Sequence, residues 1–255
     1  MSAARTSLFG IFVLAGRPLS AAQVIALAAP LGITASNVKS HLTRMVADGS
    51  LRRSGPVRKA TYQPSEQREG VIAGIRGRLD DSPPEPWDGA WLMLSLRLTG
   101  LRRADREELL ASLWLDGFRP CGGTTFIRPA WPAAWAASRA AAYLGSLEGA
   151  CIRGEPLLPV DAAALYELDA LDRRAMQLAD WIARQRIPHR HDARAFALRL
   201  RVGGRVVAVM GHNPRLPPAV WGKRNGMRRL AASYRRFERR IAPLAARFVE
   251  DVTGA

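Results

Sequence analysis

The side chains best suited to chemistry lie between residues 36 and 59. Asn37, Lys39, Ser40, Thr43 and Arg44 share the outer side of a helical repeat, with His41 at its border and Ser36 at its start, and its inner side is Val38, Leu42 and Met45, with Val46 beside them. Amide, hydroxyl and imidazole groups read base edges through directed hydrogen bonds, and Lys and Arg hold phosphates. The segment contains no carboxylate before Asp48. Arg52, Arg53, Arg58 and Lys59 follow at once, spaced to sit on the strands and tip of a short hairpin, where they suit phosphate or minor-groove contacts. The chemistry is recognition of a polyanion. A winged helix that contacts protein, with its basic residues solvated, is the alternative.

Those side chains need elements to hold them. Leu8, Phe9, Ile11, Phe12 and Ala15 recur with a period near that of a helix, which Arg17-Pro18-Leu19 ends. Ser20-Ala21-Ala22-Gln23 is a capping box, because Ser20 can accept from the Gln23 N–H while Gln23 reaches back. Val24, Leu27, Ala28 and Leu31 line a second helix, and Gly32 supplies the left-handed residue of a tight turn. Thr34 or Ser36 caps the third helix, and Asp48-Gly49 closes it. Strands over 51–54 and 60–63 then pair across 55–59. The order predicts a winged helix-turn-helix over 1–65, its third helix entering the major groove by its N-terminal half.

Composition agrees with a polyanionic partner. The 255 residues hold 38 Lys and Arg against 22 Asp and Glu, a net charge of +16. Arg outnumbers Lys by 35 to 3, which codon bias explains, but codon bias does not explain the excess of base over acid. A hydrophobic fraction of 48% excludes bulk disorder, and at roughly 150 residues per domain the length suits one to three domains. Residues 1–68 carry +7, residues 69–150 carry −1 and residues 151–255 carry +10. Such a balance argues against a metabolic enzyme with an uncharged surface. The apolar run over 8–15 is too short for a signal peptide, and no run reaches a membrane span, so a cytoplasmic protein without membrane contact is expected. Cys121 and Cys151 lack metal-site spacing and read as buried or half-buried thiols. His189-Arg190-His191-Asp192 has no further ligand at metal spacing, so neither metal nor cofactor is expected.

Val71, Ile72, Ile75 and Leu79 suggest a connecting helix, and Asp80-Asp81-Ser82-Pro83-Pro84-Glu85-Pro86 a linker, together spanning 66–86. A strand follows Trp87-Asp88-Gly89-Ala90, then an amphipathic helix over 105–115 with Leu109, Leu110 and Leu113 inward, then a strand over 124–129. Strand, helix and hairpin predict a ferredoxin-like unit over 87–160. A long helix is expected over 161–184 and another over 227–251, within a helical C-terminal domain covering 161–255. The second presents Leu230, Tyr234, Phe237, Ile241, Leu244 and Phe248 on one face and Arg228, Arg229, Arg235, Arg236, Arg239 and Arg240 on the other. Such a face can meet DNA phosphates, a pyrophosphate, a membrane surface or an acidic partner, or simply be solvated. Residues 195–210 read as either helix or hairpin. The fold class is therefore α+β.

Several of these pieces together resemble the PaaX family of repressors of phenylacetic-acid and related aromatic catabolism. The resemblance rests on Leu8-Phe9 and on Asn37-Val38-Lys39 through Leu42 to Arg44-Met45-Val46-Ala47-Asp48-Gly49-Ser50-Leu51. Trp87-Asp88-Gly89-Ala90-Trp91, Trp114-Leu115-Asp116-Gly117-Phe118-Arg119-Pro120, Phe126-Ile127-Arg128-Pro129 and Asn213-Pro214-Arg215-Leu216-Pro217-Pro218 add to it. The last stands where the family has Asp-Pro-x-Leu-Pro, and the family's following Trp-Pro-Gly is replaced here by Arg224-Asn225-Gly226. The resemblance implies a winged helix, a middle domain like the small nuclease of CRISPR adaptation that serves dimerisation, and a helical C-terminal domain. It implies a non-enzymatic homodimeric repressor on an inverted-repeat operator in double-stranded DNA, released by an aryl- or acyl-CoA thioester. Arg199, Arg201, Arg215, Lys223 and Arg224 are the candidates for the effector's phosphates. Two other readings remain: a metal-dependent nuclease using Asp88, and an architectural DNA binder without a ligand.

Overall fold

The computed structural model describes residues 3–56, 59–66, 79, 86–188 and 193–254. The expected connecting helix and nearly all of the Pro-rich linker, together with Arg58, His189 and His191, lie outside them. The chain forms two compact units, Met1–Leu79 with Gln177–Ala208 and Arg229–Ala255, and Asp80–Met176 with Val209–Arg228. The expected single C-terminal domain over 161–255 is thus divided between them.

The first unit begins with α1 (Ala3–Ala15), β1 (Leu19–Ser20), α2 (Ala21–Ala28), a 3-10 turn (Ala29–Leu31), α3 (Ala35–Ala47), β2 (Leu51–Ser54) and β3 (Thr61–Pro64). The strands form an antiparallel sheet in the order β1-β3-β2, with Leu51 opposite Pro64 and Leu19 opposite Tyr62. This is the winged helix, plus a short first strand that periodicity did not announce because two residues show no alternation. The capping box closes as expected: Gln23 N donates to Ser20 Oγ at 3.3 Å and Ser20 N to Gln23 Oε1 at 2.8 Å. Gly32 turns the chain at φ +72°, a conformation that costs glycine little. Thr34, not Ser36, caps α3, accepting from Asn37 N at 3.3 Å.

The core of this unit is completed from far along the chain. Leu8, Ile11, Phe12, Val24, Leu27, Val38, Leu42 and Met45 pack with Phe196 and Leu200 of α8 (Ala193–Gly211) and Ala245 and Val249 of α10 (Gly226–Thr253). The stretch that read as helix or hairpin is therefore helix. Its buried Phe196, Leu200, Val206 and Met210 follow the 3.6 period. Gly10 lets α1 approach, since a Cβ there would stand 2.7 Å from Leu200 Cδ2. Arg199 Nε donates to Glu238 Oε1 at 2.8 Å, and Gln23 Nε2 to the Thr253 carbonyl at 3.4 Å.

The second unit runs β4 (Trp91–Leu96), α4 (Arg103–Leu115), β5 (Arg119–Gly122), β6 (Thr125–Pro129), α5 (Ala133–Leu144) and β7 (Gly149–Gly154). All neighbouring strands are antiparallel, in the order β5-β6-β4-β7. This βαββαβ order is ferredoxin-like, as expected; α5 and β7 complete it. Leu92, Leu94 and Leu96 alternate inward against Leu113, Phe118, Phe126, Ala136 and Tyr143. Leu110, expected inward, is 37% exposed, because α4 turns only one narrow edge to the sheet. Cys121, expected at least half-buried, is exposed on β5, whereas Cys151 is half-buried.

The helix expected over 161–184 is broken into α6 (Ala162–Leu165) and α7 (Leu168–Ala183). Glu167 sits between them at φ +49°, and Tyr166 Oη donates to the Gly117 carbonyl at 3.0 Å, a bond that a continuous helix would not place. A short α9 (Pro218–Trp221) precedes α10.

Candidate nucleic-acid interface

Helix α3 presents a polar face on a fixed base. Val38, Leu42 and Met45 are buried, whereas Ser36, Asn37, Lys39, Ser40 and Arg44 are exposed and His41 lies at the border. Arg44 folds along the helix, its Nε donating to the Ser40 carbonyl at 3.3 Å and a terminal nitrogen to Ser40 Oγ at 3.2 Å. The C-terminal end of α3 is tied down by Arg5, which pairs with Asp48 at 2.6 Å and donates to Ser50 Oγ at 2.8 Å. Reading the sequence missed this role of Arg5, because its partners are more than forty positions away.

The strands add charge beside the helix. Arg52 pairs with Glu66 at 3.0 Å, while Arg53 and Lys59 are exposed and make no ion pair among the described residues. His41 has its pKa lowered from 6.5, first by burial and then by the positive charges of Arg44 and Arg5. It is therefore neutral at pH 7, able to donate and accept at once.

The charge sorts by unit. Met1–Leu79, Gln177–Ala208 and Arg229–Ala255 hold 24 Lys and Arg against 8 Asp and Glu, or +16. The other unit holds 14 against 14. The whole net charge belongs to the unit that contains α3, and the ferredoxin-like unit is neutral.

The residues suggested for effector phosphates divide as well. Arg199 and Arg201 are in the first unit, and Arg199 is committed to Glu238. Arg215, Lys223 and Arg224 are in the second, where Arg224 pairs with Asp169 at 2.7 Å, Arg215 lies 4.6 Å over the Trp135 ring and Lys223 is exposed.

The second unit instead gathers the aromatic and Arg-Pro motifs around buried arginines. Arg128 is fully buried, donating to the carbonyls of Pro129, Asp116 and Trp131 and lying 4.4 Å over Trp135. Arg119 is 2% exposed, donates to the carbonyls of Trp114 and Phe118 and stacks 3.4 Å over Trp114. Burial pulls both guanidinium pKa values down to about 10, so both stay charged at neutral pH. Asp116 accepts from Arg139 at 2.6 Å and from Tyr143 Oη at 2.7 Å. Asp88 accepts from Ala90 N at 3.0 Å and pairs with Arg153. It thus acts as a turn residue bound to a cation.

The helix order, the wing and the acid-free outer face of α3 make a winged helix-turn-helix, a class of fold in which the third helix can enter the major groove of DNA. Residues 4–68 match the family model described as PaaX-like protein, and this match points to a transcriptional regulator. No curated protein matches the sequence. A solved structure described as "Uncharacterized protein Rv0674 from Mycobacterium tuberculosis" is similar with a TM-score of 0.54 at 22% identity, covering 89% of each chain. That likeness concerns the fold. Among the described residues, no helix is long and apolar enough to cross a membrane.

Proposed function

We propose that this chain is a DNA-binding transcriptional repressor that acts as a homodimer on an inverted-repeat operator and is released by a small effector, an aryl- or acyl-CoA thioester. The observation that carries the DNA half is the exposed, carboxylate-free face of α3 in the unit that holds the full +16. Asn37, Ser40 and His41 read base edges, Ser36 and Lys39 serve bases or adjacent phosphates, and Arg44, Arg52, Arg53, Arg58 and Lys59 hold the backbone. The neutral ferredoxin-like unit suits self-association, because no net charge opposes two copies meeting there.

The effector half draws on the family resemblance and on cations of the second unit. Of the candidates in that unit, Arg215 and Lys223 make no ion pair with a carboxylate among the described residues, and Arg224 is available on exchange from Asp169. A nuclease reading finds less support, since Asp88 is occupied by Ala90 N and Arg153.

A mobility-shift titration with duplex from the protein's own upstream region tests the proposal. Retardation at moderate salt that CoA thioesters reverse is the expected result. No retardation rejects the DNA role, and retardation that no thioester reverses leaves an architectural binder.

A further inference from the structure

The charge on the C-terminal helices has no use in the function just proposed. Codon bias explains Arg in place of Lys, but it acts on both units alike and cannot sort charge between them. Acidic residues are as numerous as basic ones in the second unit and outnumbered 24 to 8 in the first. Soluble surfaces ordinarily intersperse the two signs, and a large field of one sign signals a partner of the other.

The field has a definite place. Helix α10 buries Leu230, Phe237, Ile241, Ala245 and Val249. Its opposite side exposes Arg236, Arg239 and Arg240, none of which makes an ion pair or a side-chain hydrogen bond among the described residues. Glu238, the one carboxylate in this stretch, is turned inward and held by Arg199 of α8. Arg201 of α8 is exposed and makes no ion pair among the described residues. Both helices are welded to the winged helix by the shared core, so the Arg face moves with α3 as part of one body.

We infer that Arg236, Arg239 and Arg240 form a second phosphate-binding surface that holds duplex DNA outside the segment read by α3. This rests on the DNA-binding role proposed above. Duplex DNA is favoured over other polyanions because the same rigid body already carries a groove-reading helix. Guanidinium groups without geometric partners suit a uniform backbone better than a single small anion in a built pocket. The surface carries affinity and not sequence preference, because phosphates carry no sequence.

The experiment measures fluorescence anisotropy of the full chain on operator and scrambled duplexes of equal length across a NaCl series. Removing one side chain that neutralises a phosphate flattens the slope of log K against log salt by about 0.9. The R236A/R239A/R240A variant is expected to lose about 2 to 3 units of slope and at least tenfold in affinity on both duplexes alike, while the triple Arg→Lys variant retains both. An unchanged slope and affinity in the alanine variant, with normal wild-type binding, overturns the second surface and leaves the α3 reading standing. Loss of binding to anionic phosphatidylserine vesicles without any change on DNA overturns it in favour of a membrane partner. A wild type that binds neither duplex at low salt sinks both proposals together. Thermal melts of each variant separate misfolding from the loss of phosphate binding, and a melted alanine variant with a binding-competent, folded R236E variant of unchanged slope also overturns the inference.

Discussion

Gly117 lies so close to Pro214 that a Cβ on it would stand 2.4 Å from the Pro214 carbonyl oxygen. This approach joins two motifs nearly a hundred positions apart, Trp114 to Pro120 and Asn213 to Pro218. Gly117 also adopts φ +82°. Gly117→Ala therefore meets both a strained backbone and a rigid backbone neighbour. It should cost roughly 2 to 4 kcal/mol of stability, measured by urea denaturation. Gly100→Ala should cost only its own backbone strain, since nothing stands within 4 Å there.

Arg128 ends in a buried cage of carbonyls. Arg128→Met removes the donations to the Pro129, Asp116 and Trp131 carbonyls, of which that of Pro129 also accepts from Trp131 N at 2.8 Å. The expected loss is about 3 kcal/mol or more. Arg128→Lys should not restore it, because a single ammonium cannot reproduce the planar fork. Calorimetric melts of both variants check this, and a lysine variant as stable as the parent refutes the cage.

Side chains of α3 should separate specificity from affinity. Asn37→Ala is expected to cost about 1 to 3 kcal/mol on the operator and almost nothing on scrambled duplex. Arg53→Ala and Lys59→Ala should weaken both equally and flatten the salt slope by about 0.9 each. Anisotropy titrations on the two duplexes distinguish the outcomes.

The depressed pKa of His41 gives binding a pH dependence. In the free protein, burial and the charges of Arg44 and Arg5 hold it below 6.5, so it is neutral at pH 7. A phosphate nearby raises that pKa, so binding takes up a proton as pH falls below 6.5. Affinity should rise on going from pH 7.5 to pH 5.5, by at most about tenfold per pH unit, and His41→Gln should abolish the rise. For folding alone the sign is opposite. A lowered His pKa contributes stability above 6.5 that is lost as pH falls through the folded value. A melt against pH in the absence of DNA separates the two effects.

Much of the winged helix was legible locally. The capping box at Ser20 and Gln23, the turn at Gly32, and the Val38, Leu42 and Met45 stripe depend on neighbours within a few positions, where spacing alone fixes geometry. The strand–helix–hairpin order around Asp105–Leu115 likewise announced the ferredoxin-like sheet. Reading fell short where the deciding partner was remote. The run over 195–210 reads as either helix or hairpin by pattern alone, and the packing of Phe196 and Leu200 on the core of α1 makes it helix. The run over 161–184 looked continuous until Tyr166 reached Gly117.

The sequence by itself determined the local elements, the polar face of α3 and the total charge of +16, because each follows from residue type and short-range spacing. Only the tertiary structure decided where that charge resides. Helices α8 and α10 complete the apolar core beneath α1 and α2, and burying that surface carries their arginines into the winged-helix unit and leaves the other unit neutral. Long-range packing chooses among amphipathic faces that look alike in one dimension, which is why the division of charge could be counted only after folding.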